Sequence, residues 1–475
     1  MYKHLRRLFL AFLLFLDTGY SFVQHLHMPV DGDFTAIVLP GPHYEKVLKD
    51  PLGVSVLTGN EVYAAPNRFF VHWTLSALFR NFPLLLQKIT HPVDSVYLAI
   101  AISKTIIQLF LIGLLAFLIS GRSNLLSEKF LLAAVLITPL FQTSGYYYHS
   151  MGVIEQSVTY TFFYALPLSL TLFFFLPFLY PKTWKWTKIK HFVWGSLTII
   201  LPLSGPLVPG IVLLGFLTLL IRGFFEGRKN GTTFSPFKIF TFDSPKNAGG
   251  VVFYFVMISF FSLYSLYIGR NNEENFSAQS IAIGQSFLLL PQGIVRVLFQ
   301  KLGMPLILLW VGLNSFLISK SDHREKYFQL LKWFGLFSLL YLLLLPLGGY
   351  RDYRPLIIRR DTFLPLTLGM FFFFGYSSLL VLKNLKSKYR VIHITTLIVL
   401  LGVFTVADQP ELDKNACEKE ALELLSTTNE AVVLLKKDCP VMAWTPLRNP
   451  KYSENTARML FHWRITKSVQ LYYQE

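Results

Sequence analysis

The chain has 475 residues, of which 53% are hydrophobic and only 15% charged, and its mean hydropathy is +0.47. A soluble domain carries charge at about 25% of its positions, so this chain has too little charge to cover a water-facing surface. Soluble enzyme, disordered protein and disulfide scaffold are excluded, and the long continuous apolar runs argue against a membrane β-barrel.

An all-α polytopic membrane protein remains. A spanning helix needs about 20 mostly apolar residues. On that criterion about eleven runs are predicted, at 6–23, 96–120, 130–145, 157–180, 191–204, 211–222, 250–268, 304–318, 327–346, 363–382 and 391–407. The first follows Lys3, Arg6 and Arg7, but no small-x-small cleavage site comes after it, so it is read as an uncleaved helix. The runs 191–204 and 211–222 are short and flank Gly205-Pro206-Leu207-Val208-Pro209-Gly210. They form either a tight hairpin of short helices or one interrupted span.

The formal charge of +17 reflects topology. With the N-terminus inside, the cytoplasmic pieces are 1–7, 121–129, 181–190, 221–249, 319–326 and 383–390. They hold 21 Lys and Arg against 5 Asp and Glu, as the positive-inside rule requires. No nucleic-acid partner is needed to explain the basic charge, and membrane lipids are the expected surroundings. The transmembrane domain is 1–407. A large first outer loop covers 24–95, and 408–475 is a small α/β appendage, placing the C-terminus outside the cytoplasm.

The first outer loop opens with Gln24-His25-Leu26-His27-Met28-Pro29-Val30-Asp31-Gly32-Asp33. Asp31 and Asp33, preceded by His25 and His27, are placed either to activate a hydroxyl acceptor or to coordinate a divalent metal ion. A plain Asp-Gly turn is the bland alternative. Over 69–82, Val71, Leu75, Leu78, Phe79 and Phe82 fall on one stripe, with His72, Ser76 and Arg80 elsewhere. That pattern predicts an amphipathic helix, lying on the membrane or packed on the rest of the loop.

Three Tyr before His149 (Tyr146, Tyr147 and Tyr148) make an aromatic belt. Glu155, the only acid between Glu128 and Glu226, is either a second functional carboxylate or a solvated loop acid. Lys104 lies inside the second apolar run and either snorkels outward or meets an anion. Residues 269–303 read as a surface helix or the wall of a lipid groove.

The outer loop 347–362 carries Arg351, Arg354, Arg359 and Arg360, against the positive-inside rule. Guanidinium forks suit phosphate or pyrophosphate. Asp352 and Asp361 offer the alternative of structural ion pairs.

In the appendage, 418–426 reads as a helix, 431–435 and 441–444 as strands, and Ser453 as the cap of a helix reaching Trp463. Cys417 and Cys439 pair in an oxidising compartment or stay as two small free residues. Phosphate-loop, nucleophile-elbow, paired-cysteine metal and Rossmann motifs are absent from the sequence.

The layout resembles the GT-C superfamily of integral-membrane glycosyltransferases. The likeness rests on a first helix leading into a long outer loop, on Asp31 and Asp33, on the surface helix at 69–82, on many spans and on an outer C-terminal appendage. The resemblance implies transfer of a sugar from a polyprenyl-phosphate-linked donor to an acceptor glycan, lipid or protein on the extracytoplasmic face. Asp31 or Asp33 would serve as base or metal ligand, and Arg351, Arg354, Arg359 and Arg360 would hold the lipid phosphate. His25, His27, His149 or Glu155 would orient the acceptor. The Trp-Trp-Asp signature of the oligosaccharyltransferase branch is missing. Two other readings compete: a transporter or flippase of a phosphate-bearing lipid or anion, and a non-catalytic envelope assembly protein.

Overall fold

A computed structural model describes residues 2–122, 124–180, 184–229, 245–277, 281–385 and 387–475. Parts of the basic connections 181–190 and 221–249, and residues 278–280, lie outside the described residues. Among the described residues, eight helices are long and apolar enough to cross a membrane. They are Lys3–Leu26, Pro92–Ser120, Val158–Leu179, Leu207–Phe225, Gly249–Gly269, Arg324–Gly348, Arg360–Asn384 and Tyr389–Ala407. A ninth span arises if Ile283–Phe299 and Gly303–Ile318, bent by 81° at their junction, act together. Helices predominate throughout, as expected where backbone groups in lipid must bond within their own segment. The chain thus has the architecture of an all-α, polytopic integral membrane protein.

Two of the eleven predicted runs form shorter helices. Run 130–145 becomes Glu128–Ile137 and the 3₁₀ turn Thr138–Leu140, and run 191–204 becomes Lys188–Ile200. Each stops near Pro or Gly: Pro139 in the first, Gly205-Pro206 after the second.

The chain divides into two compact units. The first comprises 1–49, 71–165 and 391–475. Here the first helix packs on Pro92–Ser120 and on Glu128–Ile137. Helix Pro92–Ser120 has Pro at its first position and ends at Gly121, whose φ of 63° supplies the left-handed cap. The Asp408 carboxylate then gathers the irregular stretch after Leu140, accepting from the Thr143 and Ser144 amides at 3.0 and 2.8 Å.

Helix Phe69–Leu86 contributes its residues from Val71 onward to this unit. Its inward stripe differs from the expected one. Val71, His72, Leu75, Ser76, Phe79, Pro83 and Leu86 are buried, while Leu78 and Phe82 only flank them. Ser76 Oγ and Arg80 Nε both donate to the Val38 carbonyl, at 2.9 and 3.0 Å. His72 packs between the rings of Tyr44 and Phe163. These polar groups face inward because a short helix, Phe34–Val38, ends beneath them with an acceptor to satisfy.

The tail holds helix Ala416–Thr427, helix Glu454–His462 and a parallel two-stranded sheet, Val432–Leu435 against Leu471–Gln474. The expected strand at 441–444 is irregular instead, and 471–474 takes the pairing. Cys417 and Cys439 are joined by a disulfide with Cα atoms 6.3 Å apart. Trp463 is fully buried, donates to the Phe79 carbonyl at 2.9 Å and lies beside Phe34.

The second unit comprises 50–70 and 166–390. Aromatic residues dominate its core, where Phe174, Trp194, Tyr254 and Phe255 meet Val208 and Val212. Helices Gly303–Ile318 and Arg360–Asn384 are fastened by Trp310 Nε1 to Ser378 at 2.8 Å and Asn314 Nδ2 to Ser377 at 3.0 Å, polar clasps typical of helix pairs in lipid. Segment 60–65 pairs with 271–273 through the Tyr63–Asn272 bridge and the Asn272 side chain.

Candidate functional site

The acids flagged in the first outer loop sit on a turn pinned from two sides. Val30 N–H donates to Glu418 at 2.9 Å. Gly32 lies so close to the tail that a Cβ there would be 2.6 Å from the Trp444 amide nitrogen. Only glycine permits that approach.

Asp31 turns inward and is 6% exposed. Its Oδ2 accepts from Ser157 Oγ at 2.7 Å and the Thr159 amide at 3.0 Å, and its Oδ1 from the Asp33 amide at 3.3 Å. Burial raises its pKa above the usual carboxylate value, with the hydrogen bonds pulling the other way. Asp33 faces outward. It is half-buried and accepts from Trp444 Nε1 at 3.1 Å. Trp444, 52% exposed, stacks on Tyr160 with ring centres 5.7 Å apart.

Glu155 joins this group through its own segment. Tyr148 donates its hydroxyl to the Glu155 carboxylate, and the Thr161 hydroxyl donates to the Glu155 carbonyl at 3.0 Å. Lys104, fully buried, donates to the Gln156 carbonyl at 3.0 Å, within the electrostatic reach of both Glu155 and Asp31. Lys104 does not snorkel outward, and its hydrogen bond goes to a backbone carbonyl rather than to a carboxylate. Asp31, Glu155 and Lys104 thus share one electrostatic neighbourhood, supplied by the turn after the first helix, the segment before Val158 and helix Pro92–Ser120, with Asp33 on the outer side of the turn.

The histidines divide. His25 is buried, and its Nε2 lies 3.1 Å from Gln108 Oε1, while Gln108 Nε2 donates to Ser21. That chain makes His25 Nε2 the donor and leaves Nδ1 as a buried acceptor without a hydrogen bond. His27 bonds back to the Val23 carbonyl of its own helix at 2.8 Å. His149 is exposed, its ring beside Tyr148. His27 is thus turned back onto its own helix rather than toward the acids.

A metal at Asp31 and Asp33 does not suit these residues. Both Asp31 oxygens already face N–H or O–H donors. No group of three or more His, Cys, Asp or Glu that could hold a metal ion occurs among the described residues.

The four flagged arginines belong to the second unit. Their loop is held by Gly293, where a Cβ would be 2.4 Å from the Leu356 carbonyl oxygen, and by Ile357 at φ 68°, a costly conformation for a β-branched residue. Arg359 pairs with Asp361, as the structural alternative expects. Asp352 is exposed and makes no ion pair among the described residues. Arg351 is buried, donates to Asn275 Oδ1 and the Tyr350 carbonyl at 2.5 and 2.7 Å, and has Nε 3.7 Å from Glu274. Arg68 reaches the same carboxylate at 4.0 Å. Against burial, which pushes it up, the charges of Arg68, Arg351 and Arg354 hold the Glu274 pKa below its usual value. The Nε atoms of Arg351 and Arg354 are buried without a hydrogen bond. Half-buried Arg360 opens the next helix.

Sequence reasoning missed Trp444 and Tyr160 as neighbours of Asp33, Glu274 as the partner of the arginines, and Glu418 and Asp408 as buried anchors. The run Glu273-Glu274 opposite four arginines was the one available signal. No family model matches the chain, and no curated protein or solved structure matches it.

Proposed function

We propose that this protein is an integral-membrane glycosyltransferase. It moves a sugar from a polyprenyl-phosphate-linked donor to an acceptor hydroxyl on the extracytoplasmic face. One observation carries the reading: an outward-facing carboxylate, Asp33, sits beside the exposed Trp444–Tyr160 stack and next to the buried, hydrogen-bonded Asp31. Flat aromatic faces beside an acid suit a sugar ring, whose C–H faces stack while its hydroxyls find a hydrogen-bond acceptor.

In the proposed step Asp33 takes the proton of the acceptor hydroxyl. The oxygen attacks the anomeric carbon, the anomeric C–O bond to phosphate breaks, and the lipid phosphate leaves with the electron pair. Asp31 holds the turn through the Asp33 amide, and Lys104 offsets the buried negative charge. Within the second unit, the reading gives Arg351 and Arg354 the role of binding a phosphate.

The same reading takes eleven crossings, with the N-terminus cytoplasmic and the C-terminus outside. Arg6 meets Glu128 at 2.9 Å near one end of the first helix, and Gln24 meets Ser144 at 2.6 Å near the other. Residues 128–144 therefore run the length of residues 6–24, about 27 Å at 1.5 Å per residue. Their helical part is short because Asp408 satisfies the remainder.

The test uses purified protein in vesicles with a panel of short-chain polyprenyl-phosphate sugars, reading release of polyprenyl phosphate. Asp33→Asn should abolish release while the thermal midpoint stays unchanged. Full activity in both Asp31→Asn and Asp33→Asn refutes the assignment. Transport of a phosphate-bearing lipid is a second reading, favoured by the 81° bend between Ile283–Phe299 and Gly303–Ile318. Translocation of an intact donor without sugar release would establish it.

A further inference from the structure

The first unit holds a cavity of about 720 Å³ whose lining shares no residue with the acidic cluster. His91 and Pro92 line it at the start of helix Pro92–Ser120, and Phe461, Arg464 and Lys467 line it from the tail. No Asp or Glu lines it. Arg464 and Lys467 are exposed and form no ion pair among the described residues. His462, also at the wall, is engaged with the Arg80 carbonyl at 3.1 Å.

Arg464 stands where glycine is the default. Helix Glu454–His462 ends just before it, and Arg464 takes φ 57° so that Ile465 N–H can turn back to the Leu460 carbonyl. A left-handed cap of this kind strains any residue with a Cβ. An arginine at such a position, lining a cavity without acids, indicates a role for its side chain.

The location indicates the ligand. Pro92 begins a helix long and apolar enough to cross a membrane, so the cavity sits at one end of that candidate span. Ile89, three residues earlier, is 78% exposed, and Phe461 is 48% exposed. Cations backed by exposed apolar side chains at this level match a lipid with an anionic head. We propose that this cavity binds the phosphate of an anionic phospholipid headgroup, with Arg464 and Lys467 as its charge partners. The proposal does not depend on the glycosyltransferase reading.

The full-length protein, in nanodiscs of phosphatidylcholine with or without phosphatidylglycerol, provides the test. Wild-type protein should show a higher thermal midpoint with phosphatidylglycerol and retain that lipid in native mass spectrometry. Arg464→Gly should match or exceed the wild-type midpoint in phosphatidylcholine, because the strain is gone. It should also lose most of the phosphatidylglycerol-dependent rise, with retained lipid falling about tenfold, the cost of roughly one charge-assisted contact. Lys467→Gln should lose part of the rise. A full phosphatidylglycerol response in Arg464→Gly overturns the proposal. So does a response to inorganic phosphate in detergent that phosphatidylglycerol does not increase, since the ligand would then be soluble.

Discussion

Glu418 should give the first unit a pH-dependent stability that a single substitution removes. Its carboxylate is 2% exposed. It accepts from the Val30 amide at 2.9 Å, the Tyr97 hydroxyl at 2.6 Å and the Met442 amide at 2.9 Å. Burial pushes its pKa from 4.5 up to about 7, although all three hydrogen bonds oppose the rise. The folded state thus holds the proton more tightly than the unfolded chain. The associated stability is fully present below pH 4.5 and is lost as the pH rises to about 7. At 1.36 kcal/mol per pH unit the loss is roughly 3 kcal/mol. Glu418→Gln cannot ionise, but it places an amide N–H₂ opposite one of the donors, a pH-independent cost of about 1–3 kcal/mol. Wild type should therefore be the more stable protein at pH 4.5, and the two should converge by pH 7.5. Equilibrium unfolding in mild detergent, followed by tryptophan fluorescence, measures the difference. A gap that is constant in pH, or that widens as pH rises, refutes the reasoning.

The Cys417–Cys439 bridge closes a loop of 22 residues, so replacing both cysteines by serine should cost about 3 kcal/mol through the entropy of the unfolded chain. A lower unfolding midpoint, reproduced in wild type by reductant, is the expected result. Glu274→Gln adds one positive charge to the arginine cluster and should tighten binding of inorganic phosphate while lowering the midpoint slightly. The stability contributed by Glu274 is present above its ordinary pKa and lost as pH falls below it. Weaker phosphate binding in this variant, read by isothermal titration, counts against an anion site there.

The membrane class was legible because lipid allows one solution for long apolar runs, and 15% charge allows few others. Contacts between distant segments were not legible. Residues 441–444 have strand-like composition, yet their amides serve Glu418 and crowd Gly32, while Leu471–Gln474 wins the pairing through a parallel contact remote in sequence. The stripe on Phe69–Leu86 was misplaced because polarity stood in for direction. Ser76 and His72 face inward, where a carbonyl and two aromatic rings receive them. Within the candidate site, the acid pair and the arginine loop stood out by charge in unusual places. Of the residues that complete each cluster, Trp444 carried no local signal and Glu274 only the acidic run it shares with Glu273.

Lys104 decides whether the acidic cluster is an electrostatic unit or a set of neighbours. An ammonium with no exposure, in a helix that crosses the membrane, is tolerated only where opposite charge compensates its lost hydration. Asp31 and Glu155 are the carboxylates whose charge acts on it, and the Gln156 carbonyl accepts a hydrogen bond from one of its three N–H groups. Removing the cation leaves the buried Asp31 and the half-buried Glu155 without a compensating charge, so Lys104→Met should destabilise by about 3 kcal/mol. Adding Asp31→Asn should recover part of that loss, because one uncompensated charge disappears with it. Independent residues would instead give additive losses, within about 0.5 kcal/mol. The double-mutant cycle on unfolding midpoints therefore separates the two cases. A recovering double variant makes Lys104 the counter-ion that lets Asp31 stay buried beneath Asp33, and strict additivity removes it from the site.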